Sequence, residues 1–413
     1  MTLMREGALW RNWGQNQVCT PALYAEPRTE DELASAVREG IAAGLSIRVA
    51  GTGHSSSPLV QTGGLLLSLR HLSGVIDTDV ARRRARLWAG TPISALGDPL
   101  WEQGLALSNQ GDIDLQTIAG AIATGTHGSG AGLQSLSGAV RSVRLVNGLG
   151  EIVQVSEDDV EELRAAQVSL GSLGVVMDVE LEVSAAYHLQ ERVTYPHVEE
   201  LLERWEDSPA AHRHFSFLWC PTDDAAELFE LPTPEGESMV DRAYTKVYDE
   251  VRIEEPGGVA TTPGNRVDRS YRIYPDGFGR IFNELEYFVP AAVGREAFVT
   301  VKDFVQAKYP DQIFPIEVRW VAADEAYLSP QFRRDTCVIT ITVEAGTDYW
   351  SYLRDIDAVL DPFDPRPHWG KLNFMTRGRM ERLYPELDAF IAVRRRFDPN
   401  GVFLNDHLRP LVG

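Results

Sequence analysis

The stretch Arg48-Val49-Ala50-Gly51-Thr52-Gly53-His54-Ser55-Ser56 carries an alternating apolar strand into a glycine-rich turn that ends on a histidine. Glycines admit positive φ and let successive backbone N–H groups converge on one anionic group, typically a phosphate or pyrophosphate. The chemistry on offer is anion binding beside a reactive imidazole. Taken alone, the same residues also make an ordinary glycine turn with a solvated histidine. A second segment, Ile118-Ala119-Gly120-Ala121-Ile122-Ala123-Thr124-Gly125-Thr126-His127-Gly128-Ser129-Gly130, packs four glycines into 13 positions. Two such loops can enclose a long, charged cofactor. Neither has the GxGxxG spacing of a nicotinamide-type Rossmann fingerprint, so a dinucleotide bound here requires a different fold.

Other residues offer charge and hydroxyls at strand spacing. On the run 315–322, Glu317 and Arg319 point to one face while Ile316, Val318 and Trp320 point to the other. That pair is either a solvated ion pair or part of a site. Thr340 and Thr342 share one face of 338–343, with Ile339 and Ile341 opposite; their hydroxyls suit a polyol, and threonine is also simply a good strand residue. Lys371 follows His368-Trp369-Gly370 and reads as an exposed lysine beside a core tryptophan or as a fixed cation. Asp112, in Asn109-Gln110-Gly111-Asp112-Ile113-Asp114-Leu115-Gln116-Thr117, is a turn-former or a ligand.

The elements that must position these groups follow from pattern. Thr29-Glu30-Asp31-Glu32 forms a capping box ahead of Leu33, Val37 and Ile41 at helical spacing, with Gly44 as the stop. A strand over 46–50 delivers the first glycine turn. Strands are predicted over 65–69, 74–77 and 86–89, and a helix over 93–103 that ends at Gly104. Runs 140–146 and 152–155 flank Asn147-Gly148, a hairpin signal. Met177, Val179, Leu181 and Val183 alternate with acidic residues as in a half-buried strand. Beyond about residue 185 the pattern loosens into polar loops, the clearest over 254–264, with strands at 215–219, 283–289, 315–322 and 338–343. Strand runs with few helices predict a mainly antiparallel sheet in a second α+β domain.

At 413 residues the chain is long for one core. With 44% hydrophobic and 24% charged residues it is an ordinary globular protein. A net charge of −21 argues against nucleic acid and anionic membranes as partners. The Arg82-Arg83-Arg84 cluster reads as a solvated hairpin turn. Cys19, Cys220 and Cys337 show no CxxC spacing, so neither a metal site nor a disulfide framework is suggested. No apolar run approaches the ~20 residues that cross a bilayer, and the N-terminus lacks a signal-peptide pattern. The expectation is a cytoplasmic protein.

The paired glycine loops, Glu317-Val318-Arg319, the run 322–329, Arg366-Pro367-His368-Trp369-Gly370-Lys371 and Phe397-Asp398-Pro399-Asn400-Gly401-Val402-Phe403-Leu404-Asn405 together resemble the vanillyl-alcohol oxidase flavoprotein family. Within it they resemble the aldonolactone and alditol oxidoreductases, and the match spans Asn12-Trp13 to Asn405. The resemblance implies an α+β, two-domain flavoprotein. Its PCMH-type FAD-binding domain would span 1–185, completed by 372–413, and an α+β substrate or cap domain on an antiparallel sheet would span 186–371.

It further implies FAD attached covalently through His54. The cofactor would be held by Ala50, Gly51, Thr52, Gly53, His54, Ser55 and Ser56. The segment before the second loop would add Gly111, Asp112, Gln116 and Thr117, and the loop itself Gly120, Ala121, Thr124, Gly125, His127 and Gly128. Val175 and Val176 would line the adenine end, and His368 would also contact the cofactor. Gly111 would lie against the reacting edge of the flavin. Glu317, Arg319 and Lys371 would be catalytic, and Asp112, Thr340 and Thr342 would bind substrate. Alditol oxidases carry serine where Asp112 stands and histidine where Thr340 stands, which turns the expectation from alditols toward lactones. The implied activity is FAD-dependent oxidation of a CH–OH group by hydride transfer to flavin N5, with an aldono-1,4-lactone as donor and oxygen or an electron carrier as acceptor. The alternatives are an alditol oxidase, a lactone dehydrogenase with a non-oxygen acceptor, and a flavin-carrying redox protein without a small-molecule substrate.

Overall fold

A computed structural model of the chain describes residues 4–234, 236–253, 260–275 and 280–413. The first unit includes β1 (Leu23–Ala25), α1 (Glu30–Ala42), β2 (Ile47–Ala50) and β3 (Leu65–Ser68). β3 lies between β1 and β2, parallel to both, so β2 is aimed directly at the glycine turn. Thr29 caps α1 by accepting from the Glu32 N–H at 3.2 Å. The Glu32 carboxylate accepts from the Arg28 N–H at 2.7 Å, one residue ahead of the cap that the box pattern assigns to it.

A five-stranded antiparallel sheet follows. Its members are β4 (Val75–Asp79), β5 (Arg84–Trp88), β6 (Val140–Asn147), β7 (Ile152–Ser156) and β8 (Gly174–Glu182), in the order β7-β6-β8-β5-β4. Asn147 pins the β6–β7 turn by accepting from the N–H groups of Leu149 and Glu151 at 2.9 and 3.0 Å. The helix expected over 93–103 is broken into a 3-10 turn at Ile93–Ala95 and a helix at Gly97–Glu102. Pro99, which has no N–H and crowds the preceding turn, is tolerated only in the first turn of a new helix. Between β5 and β6 lies α2 (Ile118–Thr124), ended by Gly125 at φ +81°. Arg48 knots this unit together, donating to the carbonyls of Leu59, Leu170, Gly171 and Phe403.

The second unit is an eight-stranded sheet. Its strands are β9 (His188–Thr194), β10 (His214–Cys220), β11 (Arg242–Val251), β12 (Val267–Arg269), β13 (Phe282–Pro290), β14 (Ile316–Val321), β15 (Thr336–Glu344) and β16 (Arg366–Pro367). The order is β12-β9-β11-β10-β14-β15-β13-β16, antiparallel throughout. Helices α3 (Gly294–Lys308) and α4 (Trp350–Leu360) cover one face over an apolar core that includes Ile316, Val318, Trp320, Ile339 and Ile341. Burying each large side chain there contributes roughly 1.5–3 kcal/mol, which fixes the register, because a one-residue slip would turn the charged face inward. Of the polar loop expected over 254–264, residues 254–259 lie outside the described residues.

The C-terminal helix α5 (Leu387–Phe397) returns to the core formed by β5, β6 and β8. Ala326, Leu328, Phe332 and Trp369 join that core too, so the chain between β14 and β15 and the turn after β16 also reach the first unit. No helix among the described residues is long and apolar enough to cross a membrane.

Candidate active site

A cavity of about 300 Å³ runs between the first two sheets, within the range of cofactor sites. Ala50, Gly51, Thr52, Gly53, His54 and Ser55 line one side; Gln116, Thr117, Gly120 and Thr124 line the other, joined by Val176 and His368. The glycines are required by geometry. A Cβ on Gly51 would sit 2.5 Å from Thr117 Oγ1, and Gly53 has φ +78°. The turn is held from outside: the Trp13 N–H donates to the Gly53 carbonyl at 2.8 Å and Asn12 Nδ2 to that of Ser55 at 2.9 Å. The Trp13 ring stacks on His54 with centroids 5.1 Å apart. Burial, with the nearby charge of Lys371, pushes the His54 imidazole down to about 4 and keeps it neutral.

Several expected cofactor residues stand elsewhere. Ser56 orders the turn, donating its N–H to Gly370 and accepting from Asn16 and Gln17. Ala121 and Val175 are packed into the apolar cores. Gly125 ends α2, and the Gly128 carbonyl faces His127 Nδ1 at 2.7 Å. Gly111, Asp112 and His127 line a second, smaller pocket that shares Gln116, His368 and Lys371 with the long cavity.

The polar face of the eight-stranded sheet forms the far wall of that pocket. Lys246, Ser216 and Arg319 make one row across β11, β10 and β14. Glu317, Thr340 and Glu286 make the next, across β14, β15 and β13, and Thr342 and Glu284 a third. Arg319 Nη2 lies 2.8 Å from Glu286 Oε2 and 3.1 Å from Glu317 Oε2. Thr342 lines the pocket. Thr340, expected to touch substrate, is buried behind it and donates its hydroxyl to Glu286 at 2.9 Å. The Lys371 ammonium contacts the Glu284 carboxylate, and Lys246 Nζ lies 2.9 Å from Asp112 Oδ2.

Glu284, Glu286 and Lys246 are the members that the sequence reading missed. Glu284 and Glu286 had a signal, two acids at period two inside an apolar strand, the same signal that marked Glu317 and Arg319.

These contacts set the charges. Burial alone would raise Asp112, but Lys246 and Arg319 outweigh it and hold the carboxyl below its usual range. Burial likewise opposes ionisation of Glu286, yet Arg319 and His127 keep it well below the ordinary carboxylate value. Glu317 differs. Burial pushes it up to about 7, with Arg319 opposing and Asp112 adding. The pocket thus holds one carboxyl near neutrality beside a fixed guanidinium, the pairing that general-base removal of a hydroxyl proton needs. Among the described residues no cluster of metal-ligating side chains occurs.

The residues of the long cavity fit FAD. The glycine cradle opposite Thr117 and Gly120 suits a pyrophosphate, and the buried Gln116 Oε1, which lacks a partner among the described residues, offers an acceptor at the junction of the two cavities. Comparison with known proteins agrees. Residues 21–156 match the FAD binding domain family and residues 239–411 the D-arabinono-1,4-lactone oxidase family. The chain is 34% identical to the L-gulono-1,4-lactone dehydrogenase of Mycobacterium tuberculosis, over 98% of this chain and 99% of that one. It is 29% identical to the alditol oxidase of a Streptomyces species, over 97% and 98%. It is 26% identical to the L-gulonolactone oxidase of Bos taurus, over 98% of each. Its fold matches the cholesterol oxidase of Brevibacterium sterolicum with a TM-score of 0.83 at 15% identity, over 100% of this chain and 98% of that one. Two sheets around a glycine-lined cofactor cavity, a charged pocket against it and full-length relatives lead to one conclusion: the chain belongs to the FAD-dependent aldonolactone and alditol oxidoreductases of the vanillyl-alcohol oxidase fold.

Proposed function

We propose that the protein oxidises the carbinol beside the carbonyl of an aldono-1,4-lactone, with FAD linked covalently through His54 and oxygen or an electron carrier as the final acceptor. FAD, when bound, supplies the two-electron acceptor for the hydride that leaves the carbinol carbon. The chain's own residues handle the oxygen and its proton. Glu317 takes the hydroxyl proton, Arg319 steadies the charge left on that oxygen, and Lys246, aimed by Asp112, donates to the acceptor-only carbonyl of the ring. The observation that carries this reading is the meeting of the two cavities at Gln116, His368 and Lys371, with Glu317 and Arg319 lining the pocket there. The covalent link is supported by a neutral His54 stacked on Trp13. The ketolactone formed can enolise to an ascorbate-type product.

The test is an anaerobic screen of aldonolactones, alditols and aldoses for bleaching of the bound flavin. Bleaching by lactones supports the proposal. Bleaching by alditols alone would replace it with the alditol oxidase reading, and bleaching by none would leave a redox carrier.

A further inference from the structure

An aldono-1,4-lactone hydrolyses in water to its open-chain aldonate, which keeps the hydroxyls but carries a carboxylate beside the carbinol that would react. An enzyme that meets both must tell a neutral ring from an anion. The smaller pocket has the means: three cations, Lys246, Arg319 and Lys371, stand against four carboxyls, Asp112, Glu284, Glu286 and Glu317. Every one of those cations is matched. Lys246 Nζ lies 2.9 Å from Asp112 Oδ2, Arg319 Nη2 lies 2.8 Å from Glu286 Oε2 and 3.1 Å from Glu317 Oε2, and Lys371 contacts Glu284. A carboxylate entering here would give up its hydration for a space whose positive charge is already paired, and an uncompensated buried charge is strongly disfavoured.

Of these pairs, Lys371 with Glu284 is the one that the reacting end of a substrate would meet, because Lys371 alone of the three cations borders both the smaller pocket and the long cavity. The backbone builds the pairing. The segment after β16 runs beside β13, with the His368 N–H donating to the Glu286 carbonyl at 3.0 Å and the Leu372 N–H to the Glu284 carbonyl at 2.7 Å. Lys371 is thereby held against the Glu284 carboxylate by the sheet itself. Thr342, opposite Glu284 on β15, adds a hydroxyl, which serves a neutral polyhydroxylated ligand as donor or acceptor.

We infer that Glu284 is a specificity-determining residue: by matching Lys371 it makes the pocket accept the neutral, ring-closed lactone and turn away the aldonate of the same sugar. The inference deepens the proposed function and rests on it for the identity of the accepted ligand, whereas the rejection of the anion rests on the charge pairing alone. Selectivity of this kind comes from what the wrong ligand cannot pair with, not from extra contacts to the right one.

The experiment titrates the oxidised flavin of the holoenzyme, followed by its absorbance, with arabinono-, galactono- and gulono-1,4-lactone and with the aldonate of each. It is run below the pH of about 8 to which burial pushes Lys371, so that the ammonium stays charged. Wild type, Glu284→Gln and the double variant Glu284→Gln with Lys371→Gln are compared. In the wild type an aldonate should bind more weakly than its lactone by roughly tenfold or more. Glutamine keeps the shape of Glu284 and removes its charge, which leaves Lys371 to pair with the aldonate. One hydrogen bond to a charged group corresponds to roughly 10- to 100-fold in affinity, so aldonate binding should tighten by that factor in Glu284→Gln and weaken again in the double variant. An aldonate bound by the wild type as tightly as its lactone overturns the inference. So does an aldonate affinity that Glu284→Gln leaves unchanged, or a gain that persists without Lys371. If Glu284→Gln does not hold FAD, Glu284→Asp, which draws the carboxylate one methylene back from Lys371, takes its place: tighter aldonate binding supports the inference and unchanged binding overturns it. If no lactone binds to or bleaches the wild type, the proposed function fails, while the aldonate titration still decides whether Glu284 keeps an anion out.

Discussion

His127 Nε2 and Glu286 Oε1 lie 3.0 Å apart, both side chains almost fully buried, and the contact ties the loop after α2 to the polar face of the eight-stranded sheet. Glu286 also accepts from Thr340 and pairs with Arg319, so a single carboxylate aligns groups from the loop after α2 and from two strands of the eight-stranded sheet. It ties these groups to one another in the wall of the smaller pocket.

Replacing Glu286 by leucine should therefore cost both stability and rate. Removing one member of a buried pair strands its partner and costs about 3–5 kcal/mol, to be read as a lowered denaturation midpoint of the holoenzyme. Flavin reduction should slow as well, because Arg319 loses the contact that orients it. Wild-type stability in Glu286→Leu would remove Glu286 from this role.

The raised Glu317 pKa gives a signed pH dependence. In the proposed reaction the base is the Glu317 carboxylate, so kcat/KM should climb as pH rises through about 7 and level off above it. In Glu317→Gln the inflection should disappear along with most of the rate. A wild-type profile flat between about pH 5 and pH 9 would exclude this carboxyl as the base.

Arg319→Ala and Lys371→Ala should slow flavin reduction by roughly 10²–10³, as the loss of one contact made to developing charge does. FAD content should change far less, since both residues line the smaller pocket and only Lys371 reaches the long cavity. Lys371→Ala also strands Glu284, so Lys371→Gln is the cleaner comparison. Anaerobic stopped-flow reduction by a verified substrate, alongside flavin absorbance per chain, separates the two effects.

How much of this was legible depended on the range over which the signal acts. The turn at 50–55 could be read because positive φ and close backbone approach demand glycine locally. Glu317 and Arg319 could be read because period two is a property of one strand. The Glu286–Arg319–Thr340 cluster depends on the pairing of β13, β14 and β15, which no single strand encodes, and so Thr340 was assigned to substrate instead of to Glu286. Lys246 was missed with its strand, where alternation is blurred by burial on both sides, and its partner Asp112 stands 134 positions away.

Flavin should remain with the protein after acid precipitation and be released when His54 is replaced by alanine. The neutral ring keeps the lone pair that bond formation to the flavin requires, and Trp13 holds the ring flat against one face. Trp13→Ala should lower the covalent fraction without abolishing FAD binding, since the Trp13 side chain does not line the long cavity. Colour found wholly in the supernatant of the acid-treated wild type would refute the linkage.

Oxygen should reoxidise the reduced flavin directly, and Gly111 is the position at which to test it. Gly111 lines the smaller pocket beside His127, and a Cβ placed there would lie 3.0 Å from the His127 carbonyl oxygen. Alanine therefore does two things: it takes space from a small molecule in the pocket and presses on the loop that anchors Glu286 through His127. If space governs the oxygen step, Gly111→Ala slows reoxidation while reduction by substrate keeps its rate. If the loop is displaced, reduction falls too, and the pH inflection assigned to Glu317 moves with it. Stopped-flow mixing of substrate-reduced enzyme with aerated buffer reads both steps. Wild-type reoxidation that takes minutes and is accelerated by an artificial acceptor or a cytochrome would mark a dehydrogenase, the activity named for the Mycobacterium tuberculosis relative, and would show that room at Gly111 is not sufficient for reaction with oxygen.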